Sequence, residues 1–210
     1  MRFKKSLLAA TLLAAAFVPS LAAAADVLVV DFQRVYRDSL AGKDAQTKLR
    51  GVNDAINAEL KPELDAWTAE RDKLGPRFKD KTQEQLIAEL QKDENLRKQY
   101  EAVQTTLQNL QQKQQLREQE LQATEQRALA AVIKGTEPIL NDLLNERNAA
   151  VVLERGSITV AAPNTDVTNE VVKRLDARLK AVPVTKVDLV KESQDAQQRQ
   201  ASQQRASVKP

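Results

Sequence analysis

From Leu96 onward apolar residues step by four and three, through Tyr100, Val103, Leu107 and Leu110. That alternation puts a narrow stripe on one side of a helix, and such a stripe is buried only against another helix. The register continues through Gln114, Arg117, Leu121, Thr124 and Ala128, so several later positions are polar or small. The expected element is a long, solvated, loosely zipped coiled coil. The whole stretch from Lys43 to Asn148 reads as two antiparallel helices joined near Gly75 and Pro76.

The ascending arm carries Leu49, Val52, Ile56, Leu60, Leu64, Trp67 and Leu74 on one side. Their spacing averages above the heptad value, which predicts a weak supercoil. Pro62 sits inside this stripe. An interior proline forfeits the bond to the carbonyl of Ala58 at a cost of about 3 kcal/mol, so a bend is expected there. Gly75-Pro76 is a stronger stop, and Thr82 with Gln85 resembles a capping box for the next helix. The tip then falls between Leu74 and Thr82, with a second bend expected at Pro138. The arms are unequal, since Lys43 to Leu74 spans about 48 Å of helix and Thr82 to Asn148 about 100 Å. Part of the second arm must therefore fold back near Lys92 to Asn95 or run on beside the base.

Ahead of this lie Arg2, Lys4 and Lys5, an apolar run from Leu7 to Val18, and small residues at Ala23 to Ala25. This is the layout of a secretory signal peptide cleaved after Ala25, and it places the rest of the chain in an exported compartment. The run is shorter than the roughly 18 residues that a membrane span needs. Those three basic residues account for the whole formal charge of +3, so the remainder balances to zero. The calculated pI of 9.1 therefore gives no reason to expect a nucleic-acid partner.

Histidine and cysteine are both absent, which removes imidazole and thiolate chemistry and the usual zinc ligands. No glycine-rich phosphate loop occurs. Paired carboxylates such as Asp93 and Glu94 sit on a charged helix, where solvated surface is their ordinary role. Hence no catalytic, cofactor-binding or metal-binding residue is expected, and no enzyme.

The flanks read differently. Val27 to Val30 is a strand buried on both faces, and Asp31 caps a brief helix through Phe32, Val35 and Tyr36. Ala150 to Glu154 and Ile158 to Ala162 read as strands turned at Arg155-Gly156, before a helix with Val171, Val172, Leu175 and Leu179 on its buried side. The plan is an α+β chain with a signal peptide (1–25), a β-body (26–42 and 149–182), a coiled-coil arm (43–148) and a disordered Gln-rich tail (183–210). So small a body rarely holds a core alone, and its sheet has open apolar edges. An obligate homo-oligomer is expected, its shared platform built from Val27, Val29, Val152, Leu153, Ile158 and Val160.

The run VLVVDFQRV at 27–35, followed by AGK at 41–43, resembles the opening of the Skp/OmpH family of periplasmic chaperones. AVVLERG at 150–156, with DVT at 166–168 and Val171, resembles its closing segment. The resemblance implies a homotrimer with a β-body and three coiled-coil tentacles around a cavity. It further implies ATP-independent holding of unfolded outer-membrane β-barrel proteins in the periplasm. The neutral mature chain and the Gln-rich tail depart from the family pattern.

At the tip, Lys73, Arg77, Lys79 and Lys81 surround Phe78, a candidate contact for acidic clients or anionic lipid head groups. The plainer reading is a solvated helix end. Pro62 and Pro138 are the candidate arm hinges, and Trp67 reads as a seam residue. The alternative function is a structural periplasmic adaptor or envelope scaffold whose coiled-coil tip docks a partner protein.

Overall fold

The computed structural model describes residues 26–207, so the expected signal segment lies outside the described residues. In chain order the elements are β1 (Asp26–Val30), α1 (Phe32–Asp38), α2 (Leu40–Phe78), α3 (Gln83–Lys92), α4 (Glu94–Glu146), β2 (Ala149–Glu154), α5 (Thr168–Arg178) and α6 (Leu189–Ser207). The described residues are mostly helical, with two strands and two very long helices.

β1 and β2 pair in parallel, Val27 beside Val151 and Val29 beside Leu153, and the whole arm is the crossover between them. Leu28, Val29 and Val30 are all buried, as the unbroken apolar run requires. The second edge of β1 is taken by the chain before α5, where the Val167 amide donates to the Val29 carbonyl at 2.9 Å. This contact explains a correction. Ile158 to Ala162, expected as a strand, forms none, because the edge it would pair with is already occupied. Arg155 to Ser157 form a single tight turn instead of a hairpin turn, and Val160 is left 84 % exposed.

Asp31 caps α1, accepting from the Arg34 amide at 2.9 Å, and its own amide donates to Thr168 Oγ1 at 2.9 Å. Ser39 ends α1 and caps α2 by accepting from the Gly42 amide at 3.1 Å. The two helices thus meet with almost no linker.

Helix α2 runs unbroken across Pro62 and Pro76 to Phe78, so Gly75-Pro76 is not the stop expected of it. Pro62, Pro76, Ala58 and Asp72 are all exposed, so the carbonyls freed by the prolines lie on the solvent side of the helix. The apex is Lys79 to Thr82, where Asp80 takes φ 63°. Thr82 and Gln85 form the capping box of α3, with reciprocal bonds of 3.3 and 3.0 Å. Asp93 ends α3 and caps α4, accepting from the Leu96 amide at 3.0 Å.

The break at Asp93 and the base of α4 settle the unequal arms. At 1.5 Å per residue α2 is about 58 Å long and α4 about 80 Å. The surplus lies in the body, where Ala128, Val132, Ile139 and Leu143 pack with Val35, Ala41, Ala45, Val171 and Leu175. Part of the 43–148 stretch assigned to the arm is therefore the core of the body. α4 continues across Pro138 without interruption.

The segment from Pro183 on, expected to be disordered, is the other correction. Val182 and Val187 are buried and α6 follows. Its anchors are isolated valines and ion pairs rather than a periodic stripe, which is why the sequence pattern does not announce it.

Replacing Pro62 with alanine should restore the missing helical bond and raise the stability of α2 by up to about 3 kcal/mol. Hydrogen exchange of the amides flanking residue 62 should slow. Unchanged exchange would mean that Pro62 is already accommodated without cost.

Candidate functional site

The arm is held by few groups. The Trp67 indole N–H donates to the Val103 carbonyl at 3.2 Å, Lys113 meets Glu63 at 2.6 Å, and Arg117 meets Glu59 at 2.8 Å. Partners fall along α4 as they rise along α2, so the two helices run in opposite directions. Next to Trp67 the seam is filled by Ala66, Ala102 and Thr106, which are too small to close it. A cavity of about 530 Å³ opens there, with Leu74 and Val103 also in its wall. The Arg71 guanidinium lies 4.9 Å from the Trp67 ring centre, within cation–π range.

The tip is less basic than its composition suggests. Lys73 pairs with Glu70, Arg77 reaches Glu89 at 2.9 Å and Asp93 at 3.5 Å, and Lys81 pairs with Glu89. Phe78 is half-buried, edge-on to Tyr100 at 5.6 Å. Among the described residues of this group Lys79 alone has no ionic partner. Arg77, Phe78 and Lys81 are thus brought against α3, Asp93 and α4 while Lys73 pairs within α2, and little of the group's charge is left unopposed.

The six body residues divide. Val29 is 1 % exposed and belongs to the core of the single chain. Val152 and Ile158 are half-buried. Val27, Leu153 and Val160 are exposed, and so is Val151 beside Val27. The outer edge of β2 has no strand against it among the described residues.

One feature escaped the sequence reading. The buried line of α4 continues from Leu110 through Lys113 and Arg117 to Glu120, Thr124, Ala128 and Val132. Glu120 is fully buried, with Arg117 at 2.8 Å and Lys186 at 3.4 Å. Glu59 joins this cluster through Arg117, Lys113 and Lys186. The register of the stripe predicts Leu121 in the seam. Successive four-residue steps after Glu120 instead rotate the buried face by about 40° each, toward the C-terminal segment.

The Arg117 guanidinium, against partial desolvation and aided by Lys113, holds the Glu59 carboxyl down to about 2 from its ordinary 4.5. A depressed folded pKa means that the contribution is complete above pH 4.5 and is lost as pH falls toward 2. Glu59→Gln should therefore melt below wild type at neutral pH. The gap between the two melting temperatures should close between pH 4.5 and 2, and a gap constant over that window would refute the assignment. Among the described residues, no three His, Cys, Asp or Glu side chains converge as metal ligands would.

A profile of the OmpH-like outer membrane protein family matches residues 26–175. The chain is also similar to a crystal structure from Caulobacter crescentus CB15 of a candidate OmpH-like outer membrane chaperone. The identity is 26 % and the TM-score 0.61, over 90 % of this chain and 98 % of that one. No curated protein sequence matches it. With both strands, both long helices and most of α5 inside the matched span, the chain belongs to the OmpH-like family.

Proposed function

We propose that this protein is an ATP-independent holdase of the periplasm, exported by its N-terminal signal peptide, that binds unfolded outer-membrane β-barrel proteins and keeps them from aggregating. Three copies merge their sheets through the β2 edges, and the arms project from that platform around a polar-walled space. The observation that carries this reading is family membership over the whole arm-and-body architecture, in a chain whose β2 edge is apolar and unpaired. Holding requires only preferential binding to the unfolded state, so no nucleotide enters the cycle. Clients are held by many weak contacts along the arms, with Lys79 and the cavity beside Trp67 among them. Pro62 and Pro138 serve as points of give in otherwise continuous helices. Anionic lipid head groups are a secondary contact at Lys79.

The test is suppression of aggregation when urea-unfolded outer-membrane proteins are diluted into the mature chain without ATP. Light scattering gives its mass in parallel. Substoichiometric trimer should keep the client soluble. A chain that leaves aggregation unchanged overturns the holdase reading and favours the adaptor or scaffold.

A further inference from the structure

Beyond Arg178 the chain leaves α5 and runs extended up the arm as a strap between α2 and α4. Leu179 packs over Gly135, where an added Cβ would lie 2.8 Å from its Cδ2. The Val182 carbonyl accepts from Lys48 Nζ at 2.9 Å. Lys186 Nζ lies 3.6 Å from Glu59 and 3.4 Å from Glu120. The Val187 amide donates to Thr124 Oγ1 at 2.9 Å, and that hydroxyl donates to the Glu120 carbonyl at 2.6 Å. From Val182 to Lys186 an extended chain advances about 13 Å. From Lys48 to Glu59, α2 advances about 16 Å, and the long Lys186 side chain spans the difference. The strap therefore climbs the groove almost fully stretched.

Its apolar side chains turn inward: Val182 and Val187 are buried and Val184 is half-buried, whereas Pro183 and Thr185 are exposed and Lys186 is half-buried. An extended run of small apolar side chains mixed with polar ones is also what an outer-membrane strand presents before it folds. The charges of the groove need the strap as well. Glu59, Glu63 and Glu120 face Lys113 and Arg117 on the arm itself, and Lys186 supplies the missing cation beside a carboxylate that is fully buried. The family profile ends at residue 175, before the strap begins.

We propose that the groove between α2 and α4 is a binding site for an extended peptide, filled in cis by residues 182–187. Unfolded outer-membrane segments with small apolar side chains and a lysine or arginine at the Lys186 position displace the strap and take its place. This rests on the holdase reading above. The strap's backbone meets the arm through the Val182 carbonyl and the Val187 amide rather than through a ladder. A segment held in that way opens locally without unfolding the domain.

The test uses the full mature chain. Hydrogen exchange at residues 182–187 is followed with and without a saturating urea-unfolded outer-membrane barrel protein. Displacement predicts that exchange of the Val187 amide speeds up by about tenfold or more when the client binds. A strap that stays equally protected while client is bound overturns the inference and leaves the holdase reading standing. A chain that holds no client overturns both. As a second arm, Lys186→Glu repels the strap from Glu59 and Glu120. If the groove is closed nine-tenths of the time in the wild type, client affinity should rise about tenfold. Equal or weaker affinity, with helicity and melting of the variant unchanged, also overturns it.

Discussion

Gly42→Ala should strongly destabilise the body, whereas Gly51→Ala should stabilise the same helix. Both glycines lie in α2, where alanine is ordinarily better by about 1 kcal/mol. At Gly51 an added Cβ meets nothing within 4 Å, so that gain should appear in full. At Gly42 the Cβ would lie 2.6 Å from the Tyr36 carbonyl carbon and closer still to its oxygen. Backbone cannot turn away as a side chain can, so α1 must separate from the first turn of α2. That separation would pull on Val35 and Ala41, both fully buried, and on the Ser39 cap between them. Overpacking that shifts backbone in a core costs about 3 kcal/mol or more. For a domain of this size that corresponds to a melting temperature lower by roughly 6–12 °C, against a rise of roughly 2–4 °C for Gly51→Ala. A Gly42→Ala chain that melts with the wild type would mean that α1 and α2 are not packed at this distance. The AGK run at 41–43, part of the family resemblance, thus has a steric cause.

The parts of this fold that could be read from the sequence are those whose cause is local. Leu96, Tyr100, Val103, Leu107 and Leu110 lie along the buried side of α4 because their spacing repeats, and Thr82 with Gln85 caps α3 because the motif is complete within four residues. What escaped has its cause far along the chain. Ile158 to Ala162 has the composition of a strand, but Asp166 and Val167 reach the Val29 edge first. Glu120 looks like a solvated helix residue, and Lys186, far off in sequence, joins Arg117 in compensating its burial. Pro76 looks like a stop, yet it falls in the last turns of an exposed helix where a lost bond costs little. At the tip, the count of lysines and arginines missed Glu70, one turn back on the same helix, and Glu89 and Asp93, which three-dimensional packing brings against them. Charge along a sequence window is therefore a poor guide to the field at a helix apex.

Leu153→Lys, alone or with Val151→Lys, should convert the proposed oligomer to single chains at micromolar concentration, read as a fall in molar mass by light scattering. Residues two apart on a strand share a face. Val151 and Leu153 are exposed together on β2, with Val27 beside Val151 across the ladder. In a lone subunit these positions are already open to water, so a lysine there should change stability by no more than about 0.5 kcal/mol. In a merged platform the outcome is different. Each apolar side chain covered by a neighbouring copy contributes about 1.5–3 kcal/mol, and a lysine both forfeits that and brings an ammonium into an apolar contact. Repeated at every copy, the loss exceeds what so small a parallel sheet can absorb, because two strands alone are marginal in water. Dissociation should therefore carry a drop in melting temperature, and the arms, left without a shared base, should no longer enclose a client. A wild-type mass already equal to one chain, or a Leu153→Lys mass unchanged from an oligomeric wild type, would show that β2 is not the joining edge. The exposed Val160 would then be the next position to substitute.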